Sequence, residues 1–153
     1  LDLENTLYLD LKDGRVTIEL YPDVAPQHVG RIKELAREGF YDGLKFHRVI
    51  PGFMAQGGDP KGNGTGGSGQ NIPAEFSDKS HVRGTASMAR SAMPDSADSQ
   101  FFICFGDTPH LDGQYSVWGQ VVDGMDFVDN ISPGEGGADP DVMIKMQVAV
   151  DAE

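Results

Sequence analysis

The chain has 153 residues, enough for one domain and short for two, and at that size it can bury a core without disulfides or a metal. Its 20 glycines and 9 prolines make up a fifth of it, which argues against a long-helix bundle, while 39% hydrophobic and 24% charged residues argue against disorder. Lys and Arg number 12 against 24 Asp and Glu, a net charge of −12, so the basic footprint that nucleic-acid binding requires is missing.

Thr6–Leu11 and Arg15–Leu20 read as two strands, with Lys12-Asp13-Gly14 as the hairpin turn between them. Ala25–Glu38 is helical in pattern: Pro26 suits the first turn, Val29, Ile32, Leu35 and Ala36 form one apolar face, and Gly39 follows as a C′ residue. Phe46–Ile50 and Phe53–Gln56 are short strands broken by Pro51-Gly52, and Gly57–Gln70 is a glycine-dominated loop. Thr85–Ala89, Gln100–Phe105 and Val117–Val122 read as further strands, Gly124–Ile131 as a short helix, and Met143–Val150 as a last strand. Eight short strands and two helices without a βαβ rhythm argue for one domain, a single antiparallel sheet or barrel with helices at its ends.

Several motifs carry less chemistry than their letters suggest. Gly62-Asn63-Gly64-Thr65-Gly66-Gly67 satisfies G-x-G-x-x-G, but Ser68-Gly69-Gln70-Asn71-Ile72-Pro73 does not start the helix that would meet a phosphate. His28, His47, His81 and His110 never stand at the i, i+4 spacing of a helical zinc site, so no metal is expected. Asn63-Gly64-Thr65 and Asn130-Ile131-Ser132 match a glycosylation sequon that means little without secretion. The single cysteine, Cys104, excludes an internal disulfide and a Cys-rich zinc site. A hydrolase assembled from Cys104 or Ser116 with His110 and Asp112 rests on proximity alone, and Phe101-Phe102-Ile103-Cys104-Phe105 reads as a buried strand around an inert thiol. No apolar stretch approaches membrane-spanning length, and no signal-like segment opens the chain, so no membrane partner is expected and the cytoplasm is the default address. Because the chain begins at Leu1 without methionine, a trimmed upstream segment and a periplasmic address stay open.

One stretch resists a bland reading. Phe46-His47-Arg48-Val49-Ile50-Pro51-Gly52-Phe53-Met54-Ala55-Gln56-Gly57-Gly58-Asp59 mixes Arg and Gln with bulky apolar residues, and strand alternation places Arg48 on the face of Phe46 and Ile50. A guanidinium there either snorkels to water or pairs with an acid, or it is placed for chemistry. The stretch closely resembles the signature of the cyclophilin family of peptidyl-prolyl cis-trans isomerases. So do Asn63-Gly64-Thr65-Gly66-Gly67, Ser87-Met88-Ala89-Arg90, Ser99-Gln100-Phe101-Phe102-Ile103-Cys104 and Leu111-Asp112-Gly113. The matches run in family order over almost the whole chain, and the chain is similar to compact, single-domain, prokaryotic members.

The resemblance implies a mainly β fold, a closed eight-stranded antiparallel barrel capped by two α-helices. It implies rotation about X-Pro peptide bonds without nucleophile, metal or cofactor, in proline-containing peptides and in unfolded or folding proteins. By resemblance Arg48, Gln56 and Phe53 are the catalytic set, with Arg48 the donor to the prolyl nitrogen and Gln56 orienting it or binding a substrate carbonyl. Phe53, Met54, Phe102 and Leu111 would hold the proline ring. Ala89 and Arg90 would offer backbone groups to the residues before proline, with Gly64 and Gln100 bordering that groove and His47, Ser91, His110 and Tyr115 completing the substrate surface.

Three positions depart from the familiar eukaryotic pattern: His110 replaces the tryptophan before Leu-Asp-Gly, Tyr115 replaces a histidine, and Ala89-Arg90-Ser91 replaces Ala-Asn-Ala. Loss of the indole N–H implies weak binding of the immunosuppressant cyclosporin. A monomer is expected. The runner-up is a cyclophilin-like module that holds proline-containing segments or acts as a chaperone without turnover, although such a module has no physical need for Arg48.

Overall fold

The computed structural model describes residues 2–62, 64–135 and 140–152. Among them, nine strands form one antiparallel sheet: β1 (Thr6–Leu11), β2 (Gly14–Leu20), β3 (Arg48–Ile50), β4 (Met54–Gly57), β5 (Thr85–Met88), β6 (Phe101–Cys104), β7 (Val117–Asp123), β8 (Gly134–Glu135) and β9 (Lys145–Val148). Their order across the sheet is β8-β3-β4-β6-β5-β7-β2-β1-β9. Two helices, α1 (Pro26–Arg37) and α2 (Met125–Asp129), pack near β9 and β2 respectively.

The sequence elements recur within a residue or two, and the differences have local causes. Phe46 and His47 precede β3 rather than extending it; Phe46 donates its backbone N–H to Asp141 O (2.9 Å). The last strand is trimmed at both ends: Met143 N–H bonds Leu44 O (2.7 Å), Ile144 N–H bonds Asp10 O (2.9 Å), and Ala149–Asp151 coil into a 3-10 turn. The ninth strand, β8, is too short at two residues to leave a periodic signal. The sheet is curled, and among the described residues no strand ladder joins its edges β8 and β9. Between these edges, residues 141–144 bond to both 43–46 and Asp10.

The α1 N-terminus shows how distant chain supports local structure. Its N-cap, Ala25, has no capping side chain. The Glu75 carboxylate instead accepts from the backbone N–H groups of Gln27 (3.2 Å) and His28 (2.9 Å), satisfying donors that a helix start leaves open. Val29, Ile32, Leu35 and Ala36 are buried as their spacing predicts.

The main core lies on one face of the curled sheet. Phe101 of β6 meets Tyr41 and Trp118 edge to face, with ring centroids 5.5 Å away in both directions. Ala55, Ala86, Met88 and Ile103 belong to the same cluster. Replacing Phe101 with alanine leaves a cavity between two fixed rings, so Phe101→Ala is expected to lower the unfolding free energy by about 3–5 kcal/mol in urea titration.

His28, His47 and His81 are buried. Burial is the leading influence on each and holds its imidazole below the ordinary value of 6.5. Opposing it are the Pro73 carbonyl and Glu75 at His28, the Asp59 charge at His47, and the Asp112 carboxylate at His81. The unfolded chain therefore takes up these protons first as pH falls, and stability drops below the unfolded value, by up to about 1.4 kcal/mol per pH unit for each histidine. With Trp118, wholly buried and the sole tryptophan, as fluorescent reporter, the urea midpoint is expected to be lower at about pH 5.5 than at about pH 7.5. An equal or higher midpoint at the acidic pH contradicts this.

Candidate active site

Strands β4 and β6 place apolar residues on both of their faces, and β5 joins them on the core side. Ala55, Phe101, Ile103, Ala86 and Met88 enter the main core. The alternate residues Met54, Phe102 and Cys104 turn to the other side and join Leu111 in a separate, smaller apolar cluster, as the period of two requires. Ile50, Phe53, Ala89 and Tyr115 pack against it.

Above this cluster opens a cavity of about 140 Å³, bordered by Arg48, Phe53, Met54, Gln56, Ala89, Arg90, Phe102, Leu111 and Tyr115. Nine of the fourteen site residues expected from sequence thus converge on one small cavity. Arg48 and Gln56 are directly opposed across the β3–β4 pair, and Phe102 opposes Gln56 across β4–β6. A larger cavity of about 480 Å³ adjoins it and shares Gln56, Ala89 and Arg90, with Gly64, Ser91 and Gln100 on its own walls. His47 and His110 line neither cavity. His47 is buried beside Gly64, and His110 is exposed with its ring 5.5 Å from that of Phe53.

A relay of amides joins the two cavities. Gln56 Nε2 donates to Gln100 Oε1 (3.0 Å), and Gln100 Nε2 donates to Gly64 O and Gly66 O (3.0 Å each). The two backbone carbonyls accept only, so they fix which end of Gln100 is the amino group, and that in turn fixes Gln56. Gln56 Oε1 is left as an acceptor at the junction.

Carboxylates hold the glycine loop that supplies those carbonyls. Asp59 accepts from the backbone N–H of Lys61 (2.8 Å) and Gly64 (2.6 Å). Asp98 accepts from Ser68 N (2.7 Å), Ser68 Oγ (2.5 Å) and Gly69 N (3.1 Å). A Cβ on Gly66 would overlap the Asp59 carboxylate and one on Gly67 that of Asp98, so glycine is required by close approach. No helix follows this loop before β5, and its letters do not make a phosphate site. Asn63, shared by that motif, the family resemblance and one sequon, lies outside the described residues.

Sequence reasoning missed His81. Its Nδ1 lies 3.0 Å from Asp112 Oδ1 and its Nε2 2.9 Å from Ser87 Oγ, and its backbone N–H donates to the same Asp112 oxygen (2.6 Å). The ring stacks on Phe102 at 6.1 Å between centroids. This network ties β5, through Ser87, to the turn that carries Leu111 beneath the cavity. Its residues stand 6 and 31 positions apart in the chain, a separation that leaves no local pattern. It also undoes the hydrolase on paper, because Asp112 serves His81 and not His110. Ser116 Oγ accepts from Glu75 N (2.9 Å), and burial pushes the Cys104 thiol up to about 11, which removes nucleophilic thiolate. Among the described residues, no group of three or more His, Cys, Asp or Glu side chains is arranged to hold a metal ion.

Comparison with known proteins agrees with this geometry. Residues 6–150 match the family described as cyclophilin type peptidyl-prolyl cis-trans isomerase/CLD. A probable peptidyl-prolyl cis-trans isomerase of Brucella suis is 56% identical, with 99% of this chain and 86% of the relative covered. Peptidyl-prolyl cis-trans isomerase B of Bacillus subtilis is 48% identical, with 85% and 92% covered. Among solved structures, a cyclophilin from Hirschia baltica superposes with a TM-score of 0.92 at 28% identity, over 100% of this chain and 77% of that one. A Cryptosporidium parvum cyclophilin type isomerase, crystallised in the presence of the dipeptide Ala-Pro, gives 0.86 at 28% identity, over 94% and 98%. With its two-faced sheet, its small apolar cavity and the Arg48–Gln56 pair beside it, the chain belongs to the cyclophilin family of peptidyl-prolyl cis-trans isomerases.

Proposed function

We propose that Arg48 performs the isomerisation, seated at the rim of the small cavity with the substrate proline ring below it. The observation that carries this reading is the cross-strand opposition of Arg48 and Gln56 over a floor of Met54, Phe102 and Leu111. Rotation about an X-Pro bond is slow because the prolyl nitrogen gives its lone pair to the carbonyl, a barrier of about 18–20 kcal/mol. Near 90° of twist that resonance is lost and the nitrogen becomes pyramidal and basic. A guanidinium N–H directed at it stabilises the twisted state more than either planar state, and only such a difference accelerates the reaction.

The apolar floor anchors the ring, worth about 1.5–3 kcal/mol for a side chain of that size, and leaves the flanking bond free to turn. Gln56 acts on both sides of the junction: Oε1 accepts from the guanidinium and holds it in place, and the N–H not given to Gln100 reaches the substrate carbonyl. Phe53 closes the outer wall. The residues before proline run over Ala89 and Arg90 toward the larger cavity, with Gly64, Ser91 and Gln100 along their path and Tyr115 beside the ring. His47 supports the glycine loop from below, and His110 flanks Phe53 at the mouth. The segment 141–144, bonded on both sides, supports taking the curled sheet as the closed barrel of the family.

His110 brings no indole N–H to the mouth of the cavity, which supports weak cyclosporin binding. Calorimetry is expected to find no nanomolar complex. The reading further takes the protein as a monomer of the cytoplasm, where its lone buried thiol stays reduced; sedimentation and cell fractionation check both.

The deciding experiment is an isomerisation assay on a short Xaa-Pro peptide. Wild-type protein is expected to exceed the uncatalysed rate, and Arg48→Ala to lose at least about 100-fold in kcat/KM, the usual cost of deleting one preorganised donor. Wild-type exchange no faster than the uncatalysed reaction overturns the reading. Retention of full activity by Arg48→Ala removes Arg48 from it.

A further inference from the structure

Arg90 stands where the two cavities meet and lines both. Its guanidinium is held in place from several sides. Nε donates to Gln114 O (2.9 Å) and Nη1 to Ser91 O (3.0 Å), while Cζ lies 4.9 Å from the Tyr115 ring centroid and 5.6 Å from that of Phe76. These contacts use carbonyls and aromatic faces, and none neutralises the charge. Among the described residues Nη2 donates no hydrogen bond, and no carboxylate lies within 4.0 Å of the group.

Lys45, Lys79 and Lys145 likewise make no ion pair among the described residues, whereas six of the twelve cations do. Acids outnumber bases two to one, and Lys12, Arg15, Arg31, Lys33, Arg37 and Arg83 each contact a carboxylate. Lys61, on the wall of the larger cavity, likewise makes no ion pair among the described residues. Asp98 on that wall, and Asp59 beside Gly66, accept from backbone N–H groups of the glycine loop and keep their negative charge. The groove thus holds two cations, Arg90 and Lys61, on the same wall as the Asp98 carboxylate, and Arg90 presents there one pair of N–H donors that no described residue claims.

We infer that Arg90 is a specificity-determining residue, whose side chain selects proline-containing segments that carry a carboxylate within the three residues preceding the proline. The inference rests on the path proposed above, in which that part of the substrate leaves the small cavity past Arg90. A glutamate or aspartate there accepts from Nη2 without disturbing the bonds that already orient the guanidinium, and little further ordering is required. A lysine meets Arg90 and Lys61 with like charge. The preference acts on substrate selection and leaves the twisting step to Arg48.

The test is NMR exchange spectroscopy on a panel of peptides with Glu or Lys at each of the three positions before proline, beside an all-alanine parent. Turnover of the parent by wild type establishes the isomerase reading separately. At one position or more, kcat/KM is expected to favour Glu over Lys by about tenfold, one charge-assisted contact's worth, and the ratio to shrink in high salt. Arg90→Gln is expected to bring that ratio close to unity, and Arg90→Lys to retain part of it. Each ratio is taken within one enzyme, so a general loss of activity cancels. Turnover of the parent with a Glu-to-Lys ratio below about threefold at every position overturns the inference. So does a ratio in Arg90→Gln that stays within about twofold of wild type.

Discussion

Strand β6 must be buried on both faces, and much of the molecule follows from that constraint. Phe101 and Ile103 complete a core that extends to α1, whereas Phe102 and Cys104 are covered only by a small cluster on the opposite side. β6 lies between β4 and β5 near the middle of the sheet, where both of its faces are covered. The second face has too few apolar residues to close over itself. What remains open is a cavity the size of a small ring, beside the polar residues of β3 and β4.

The site joins two kinds of order. Its apolar part is set by strand alternation and needs only the sheet. Its polar part depends on a glycine loop that has no regular structure and is held by Asp59 and Asp98 through backbone N–H groups. The His81–Asp112–Ser87 network performs the matching task beneath the cavity, fixing the Leu111 turn against β5. Two carboxylates on one side and one on the other thus serve as loop anchors, which accounts for the acidic residues around the site.

Much of this was legible in the chain. The unbroken apolar run of β6, the apolar face of α1 and the odd placement of Arg48 among bulky residues are local signals of the sheet, the helix and the site. The resemblance to a known family added the roles. Long-range carboxylate contacts were not legible: Glu75 capping α1 from 47 residues away, or Asp112 meeting His81 from 31, leaves no pattern in any window. Proximity in sequence is no guide here: His110 stands two residues from Asp112, and Asp112 meets His81 instead. The family resemblance gives Arg90 a role through its backbone and is silent on its side chain. That no carboxylate among the described residues meets its charge shows only in three dimensions.

The relay from Gln56 through Gln100 to the carbonyls of Gly64 and Gly66 contains no group that gains or loses a proton in the ordinary range. Its direction is set by backbone oxygens that can only accept, and nothing short of displacing the loop reverses it. Acidification therefore reaches the reaction centre through its supports, His47 beside the loop and His81 beneath the cavity, while the amides themselves keep their sense for as long as that loop holds.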